Sequence, residues 1–254
     1  MKQYVHPRFS VLALGIAGAL SLGQVHASGF QLKENSVRSM RAPFAAAGVR
    51  TDDSSVVVNN PATMARFEGT SFQVDATVID LSYQFKGSGT DALGRPLVGG
   101  DGGDAGDIAA VPAVSMIHKA DNDLAFGIMI SAPFGLKTEY DNGWSGRYFG
   151  QKSEVEIVDL TLAAAIDIVP NRFSVGAGVI YSRADVTLSR GIDFGTLLFS
   201  NASTRPLPFA RPQAADGIAE VQGDNTGYGW LVGANFSPTD KLAIGLSYRS
   251  EIDY

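Results

Sequence analysis

Residues able to make and break bonds are few and scattered in this chain. It has no cysteine and three histidines, which excludes thiol nucleophiles, thiolate metal sites and disulfides. His6 and His26 fall in a leader-like segment, so His118 is the one imidazole left to act as base in a Ser-His-Asp arrangement. It stands beside a tight turn with no nucleophile elbow or metal cluster for company. His118 therefore reads as a surface histidine, and the expectation is a protein with no catalytic residue, no metal and no cofactor. Asp101-Gly102-Gly103-Asp104 offers carboxylates to calcium, but weakly, and the stretch 86–110 reads more simply as a flexible, solvated loop. Two residues keep chemical meaning: Arg190, a cation able to meet a carboxylate, and Pro133, which ends a strand-like run.

The elements that position these residues begin after a leader. Lys2 and Arg8 precede an apolar stretch, 9–22, and Val25-His26-Ala27 forms a small-x-small cleavage site before Ser28. These features describe an export signal over 1–27; the apolar stretch is short for a span of about 20 residues. The formal charge is −6 with no run of Lys or Arg, which argues against nucleic acid as partner.

Beyond the leader no stretch is long and apolar enough for a membrane helix. Alternation takes its place. Val158, Leu160, Leu162, Ala164, Ile166 and Ile168 are apolar, and Asp159, Thr161, Ala163, Ala165 and Asp167 between them are small or charged. That period of two marks a strand with one apolar face. It recurs in Leu124 to Ile130, in Phe173 to Tyr181, in Tyr228 to Phe236 and in Leu242 to Tyr248, with a shorter copy at Val114 and Met116. The first strand, about 70–85, changes phase at Ile79; a bulge and a strand leaving the membrane both account for that.

Tight turns at 120–123, 169–172 and 237–240 alternate with long excursions at 86–110, 136–152 and 191–226. Short turns at one end and long loops at the other describe an antiparallel transmembrane β-barrel. The strands also reach the roughly 9–11 residues a tilted membrane strand needs, where soluble strands average about 5–6. Tyr83, Phe85, Tyr181, Tyr228, Phe236 and Tyr248 fall near strand ends, where aromatic girdles sit. About seven strands are present. An odd last strand leaves an unpaired edge in lipid, where each orphaned group costs several kcal/mol, so the chain is expected to be part of a longer barrel.

The segment before the first strand is compact and mixed. In it, Asn60-Pro61-Ala62 reads as a helix start, Asn60 capping and Pro61 at the first helical position. A capped turn is the plainer alternative, but a segment of this length has to be housed, and a barrel lumen can hold it.

Ser28-Gly29-Phe30-Gln31-Leu32, the Asn60-Pro61-Ala62 triplet, Ala132-Pro133-Phe134-Gly135 and Tyr248-Arg249-Ser250-Glu251 together resemble the FadL family of outer-membrane transporters. The resemblance runs from Ser28 to Tyr254 and implies an all-β fold, a 14-stranded barrel with an N-terminal hatch. On it, 1–27 is the signal peptide, 28–68 the hatch and 69–254 the first half of the wall. It also implies uptake of long-chain fatty acids or, in some branches, of aromatic hydrocarbons. Surroundings of outer-membrane lipid and lipopolysaccharide and a monomeric state are expected with it. A structural or adhesin-like barrel is the competing class, though it would need neither a plug nor a strand-breaking proline.

Proline cannot donate to a ladder, so Pro133 either marks where the third strand leaves the membrane or kinks it, with Phe134 and Gly135, to open the wall sideways as the resemblance implies. An acyl chain gains by passing straight into bilayer, at about 0.8 kcal/mol per buried methylene. In 191–226, Phe194, Leu197, Leu198, Phe199 and Phe209 form either a dry cluster under a loop or an extracellular groove that captures ligand. Strand parity turns Arg190 inward near the loop end and Arg183 toward the membrane interface. Arg190 is thus the candidate for a ligand carboxylate, a rim pair with Asp193 being the alternative.

Overall fold

A computed structural model describes residues 32–41, 46–91, 93–120 and 123–254; the leader and residues 28–31 of the N-terminal motif lie outside the described residues. Seven strands form one antiparallel meander in sequence order: β1 (Thr70–Asp80), β2 (Ile108–Lys119), β3 (Leu124–Glu139), β4 (Lys152–Val169), β5 (Phe173–Asp193), β6 (Asp216–Thr239) and β7 (Leu242–Arg249). Ahead of them come two one-turn helices, α1 (Val37–Met40) and α2 (Val56–Asn59), and a 3-10 helix, Pro61–Arg66. A further helix, α3 (Phe194–Ser200), lies between β5 and β6. Among the described residues no helix is long and apolar enough to cross a membrane.

Which face of the sheet is buried decides the class of protein. On β4, Val158, Leu162 and Ile166 are 50%, 47% and 46% exposed, whereas Asp159 and Thr161 are fully buried. The same inversion holds along β2, β3, β5 and β6, where Met116, Ile128, Val179 and Trp230 are exposed and Ser115, Ser131, Ser182 and Asn235 are buried. A water-soluble sheet buries its apolar face, and this one does the reverse. From Val158 to Ile168 the apolar row runs roughly 33 Å along the strand. A tilt of about 40° brings that to roughly 25 Å, the height of the apolar band on an outer-membrane barrel.

The inner face is strongly concave. The 3-10 helix touches β2, β3, β4, β5 and β6, and Arg249 of β7 reaches inward to Asp159 of β4, Nη2 to Oδ2 2.5 Å, over the two intervening strands. The seven strands make half of a barrel. Its inner core joins Val56, Val57, Met64, Ala65 and Phe67 of the N-terminal segment to Ala113, Ile117, Ala125, Met129, Ala163 and Ala165 of the wall.

At the long-loop end the structure departs from the alternation. β5 and β6 stay paired from Phe173↔Phe236 to Asp193↔Asp216, well into the 191–226 stretch expected as loop. β3 and β4 likewise pair as far as Glu139↔Lys152. Above the membrane both faces of a strand meet polar surroundings, so pairing persists while periodicity vanishes. β1 ends at Asp80 with an unbroken register to β2; its phase change thus marks the strand's end, with no bulge. The 86–110 stretch, expected to be flexible, is fastened instead. Val98 N–H donates to Gln213 Oε1 at 2.6 Å, and Gly100 N–H to the carbonyl of Gly143 at 3.1 Å.

Candidate functional site

The candidate residues fall in three places: the N-terminal segment in the half-barrel, a fork between β2 and β3, and the loop end. In the first, the Asn60 side chain accepts from Ala62 N–H at 3.1 Å and donates to the carbonyls of Gly48 at 2.7 Å and of Ala234, on β6, at 3.1 Å. Pro61 takes the first position of the 3-10 helix, where its missing N–H costs nothing. The wall accommodates this turn with glycine. A Cβ at Gly176 would lie 2.6 Å from Ala62 N, and one at Gly233 would lie 2.0 Å from Asn60 Oδ1. Ser174 Oγ, on β5, donates to the Ala62 carbonyl at 2.8 Å. Asn60, Pro61 and Ala62 are thus all buried against β5 and β6.

Two charged anchors hold the segment at its ends. Arg66 pairs with Asp167 at 2.8 Å, with side-chain exposures of only 9% and 5%. Asp53, fully buried, accepts from Ser36 Oγ at 2.7 Å, Ser39 Oγ at 2.6 Å and the Ser55 amide at 3.0 Å. Burial pushes this carboxyl's pKa up, but the donors from Ser36, Ser39 and Ser55 outweigh burial and hold it below the ordinary range. Gln73 of β1 donates to Asp53 at 3.2 Å and to Asp75 at 2.8 Å, tying the network to the wall.

At the fork, β2 and β3 pair from Lys119↔Ala125 up to Ala113↔Ser131, and there the ladder stops. The β3–β4 register shifts between Ser131 and Phe134, a one-residue bulge containing Ala132 and Pro133. Above it β3 reverses its facing: Phe134 now pairs with inward Ile157, and Gly135 with outward Glu156. A cavity of about 400 Å³ opens between the parted strands, lined by Ile108, Ala110 and Pro112 on one side and Ala132, Phe134 and Leu136 on the other. The strands meet again higher up, where Glu139 N–H donates to Ala105 at 3.0 Å and Lys137 bridges to Asp107 at 3.2 Å. Leu32 enters from the N-terminal segment, its N–H donating to the Pro133 carbonyl at 2.7 Å. Sequence reasoning singled out Pro133 and passed over Pro112, the one other proline in these two strands; the run Ala109-Ala110-Val111-Pro112 was the available signal.

At the loop end, Phe194, Leu197, Leu198 and Phe199 form α3. Asp193 caps it, accepting from Thr196 N–H at 2.8 Å and from Gln213 N–H at 3.0 Å. With Asp193 so occupied, the expected rim pair with Arg190 does not form; among the described residues Arg190 has no ion pair. It is exposed, and it lines a cavity of about 300 Å³ with Leu97, Phe149, Ile192 and Thr196 and with two carboxylates already engaged, Asp91 by Arg95 and Asp193 by the α3 cap. Phe194, Leu197 and Phe209 are about half exposed outside that cavity, and the Arg205 guanidinium sits over the Phe199 ring at 5.0 Å. Arg183 faces outward, paired with Asp185 at 3.1 Å and Asp224 at 3.7 Å. Loop order centres on buried Arg147, which donates to Asp216 at 2.8 Å and to the Val98 carbonyl at 2.7 Å. Tyr148 donates to Asp216 at 2.7 Å; burial first, then this carboxylate, raise the pKa of its phenol, which stays protonated.

Asp104 of the glycine-rich stretch accepts from Ser82 Oγ at 2.6 Å and Tyr83 N–H at 2.8 Å, and the described residues hold no cluster suited to a metal. His118 is exposed, its Nδ1 at 2.8 Å from Thr70 Oγ1.

A meander with its apolar face outward, a concave polar interior and loops sorted by length defines an outer-membrane β-barrel protein. Residues 18–254 match the family described as outer membrane protein transport protein (OMPP1/FadL/TodX), and the chain belongs to that family. It is 29% identical to a long-chain fatty acid transport protein of Shigella flexneri, over 96% of this chain and 56% of that protein. It is 26% identical to outer membrane protein P1 of Haemophilus influenzae, over 97% and 58%. The chain thus spans a little over half the length of these curated relatives. Among solved structures, a Pseudomonas aeruginosa FadL homologue superposes with TM-score 0.79 at 27% identity, over 89% of this chain and 53% of that one. The Ralstonia pickettii toluene transporter TbuX shares the fold, with TM-score 0.55 at 19% identity over 78% and 52%.

Proposed function

We propose that this chain provides the plug and part of the wall of a conduit for hydrophobic compounds, with release sideways through the fork between β2 and β3. The observation that carries this is the interrupted ladder, which leaves a cavity of about 400 Å³ in an otherwise hydrogen-bonded wall. The N-terminal segment supports it: fixed at Asp53 and Arg66, it packs on the inner face of the strands and brings Leu32 to the fork's edge. An apolar solute meeting that plug is better placed in hydrocarbon than in water. Long-chain fatty acids are the first substrate class, following the fatty acid transport proteins among the relatives. Arg190, without a carboxylate partner of its own, suits the headgroup, and exposed Phe194, Leu197 and Phe209 suit capture at the surface. Aromatic hydrocarbons are the second class.

The protein works as a monomer among outer-membrane lipid and lipopolysaccharide and does no covalent chemistry. His118 faces outward with a threonine hydroxyl for partner and, among the described residues, no carboxylate. The test is uptake of long-chain fatty acids and of toluene by cells lacking the transporter, complemented with the complete reading frame. Pro133→Val is expected to lower uptake several-fold while the folded, heat-modifiable band on gels persists. Unchanged uptake in that variant removes the sideways exit, and no uptake of either compound by the parent removes the transport reading.

A further inference from the structure

The fork carries a proline on each prong, and we propose that Pro112 of β2 is a second positioning residue for it, holding the strands apart from the side opposite Pro133. The inference rests on the exit reading above but concerns what keeps the wall open. Three observations meet at this residue. The last rung between the strands is Ala113↔Ser131, so Pro112 is the first residue of β2 beyond the break. On its other side β2 stays in register with β1 through Ala76↔Pro112 and on to Asp80↔Ile108, so the break falls wholly on the β3 side. Proline is otherwise confined to edge strands, strand starts and bulges, and β2 at this point is an interior strand with no register shift toward β1.

Hydrogen-bond geometry explains why the ladder stops at Pro112. Continuing the lower register places Pro112 opposite Ala132 and Pro133 opposite Val111, on adjacent rungs. Antiparallel rungs alternate between pairs that exchange two hydrogen bonds and pairs that exchange none. The phase is fixed here: Ala120 N–H donates to the Leu124 carbonyl at 2.9 Å and Lys119 N–H to the Gly69 carbonyl at 2.8 Å, so even-numbered residues of β2 bond toward β3, and the Pro112 rung opposite Ala132 needs an N–H that Pro112 lacks. The contacts above the gap, Glu139 with Ala105 and Lys137 with Asp107, keep the numbering of the rungs below it, so the ladder is interrupted at Pro112 rather than shifted.

These 254 residues contain no cysteine, and any cysteine elsewhere in the protein is first replaced by serine. In the complete protein, Ala110→Cys with Gly135→Cys places one thiol on each prong of the fork, and mild oxidation reports how often the prongs meet. Pro112→Val, read beside Pro133→Val and the double variant, is expected to speed disulfide formation several-fold and to lower uptake in proportion. Pro112→Thr serves as a second replacement that restores the N–H, and heat-modifiable gel mobility confirms insertion of each. Equal cross-linking rates with and without Pro112 overturn the proposal. Faster cross-linking with unchanged uptake upholds Pro112 as the residue that parts the strands, and overturns the exit reading alone.

Discussion

Two neighbouring pairs of strands solve the same problem differently. β5 and β6 stay in unbroken register over their shared length, from Phe173↔Phe236 to Asp193↔Asp216. β2 and β3 keep their register only for seven rungs, Lys119↔Ala125 to Ala113↔Ser131. Both pairs turn an apolar face outward and bury a mixed inner face that includes Ile117 and Met129 in one and Ile180 and Leu231 in the other, so burial pattern does not distinguish them. What differs is the supply of backbone donors: β5 contains no proline and β6 only Pro238 at its end, whereas β2 and β3 carry Pro112 and Pro133 at the break. The alternating pattern is common to both pairs, and the ladder stops at the pair whose strands carry the prolines.

The comparison breaks most visibly if an opening is forced on the intact pair. Ile180 is buried on the inner face of β5 and pairs with both Thr161 and Gly229. Ile180→Pro removes a donor from a rung flanked on both sides by strands, in a region where each unsatisfied group costs several kcal/mol. The expected outcome is loss of the heat-modifiable folded form. Recovery of folded protein in normal yield would show that this wall tolerates openings anywhere, and the fork would lose its special standing.

The next effect in size concerns what lies behind the wall. Arg66 and Asp167 are both nearly buried, and among the described residues Arg66 Nε and Nη2 have no hydrogen-bond partner. Removing one member of such a pair leaves an uncompensated charge at a cost of about 3–5 kcal/mol. Asp167→Ala is expected to lower the unfolding midpoint in detergent by several degrees and to admit small polar solutes that the parent excludes. A variant as stable and as tight as the parent would show that the wall, rather than this anchor, holds the N-terminal segment.

The legibility of these features follows the same physics. The seven strands were readable because a hydrocarbon exterior and a polar interior force a period of two on every residue between them. Where that contrast ends the signal ends, which is why β5 and β6 run on past Gly191 and Thr226 unannounced. Asn60 and Pro61 were readable because a cap and a first-turn proline are local requirements. The Asp53 network was not, since Ser36, Ser39, Ser55 and Gln73 are ordinary residues until the fold gathers them. Arg190's expected pairing with Asp193 failed for a related reason: the sequence did not reveal α3, and Asp193 serves as its cap. Pro112 was visible throughout, but its meaning depends on knowing which residues of β3 stand opposite.

The smallest predicted effect is a dependence on pH, and it separates the segment's two anchors. The Asp53 carboxyl is held below the ordinary value by Ser36, Ser39 and Ser55. A carboxylate whose pKa is lower in the folded state stabilises that state at pH values above its unfolded value near 4. The contribution falls away as pH drops through the folded value, because the unfolded chain then binds the proton first. Asp53→Asn removes this titration and exchanges charged for neutral hydrogen bonds, at a cost of about 1–3 kcal/mol near neutrality. Hydrogen exchange over residues 36–41 and 46–55 should therefore show earlier opening in Asp53→Asn than in the parent at pH 7, and the gap should narrow toward pH 3. Exchange near Arg66 should stay unchanged in the same samples, because that end of the segment hangs on Asp167. A gap that stays constant with pH would show that the serines hold the segment by shape alone, with no part played by the charge on Asp53.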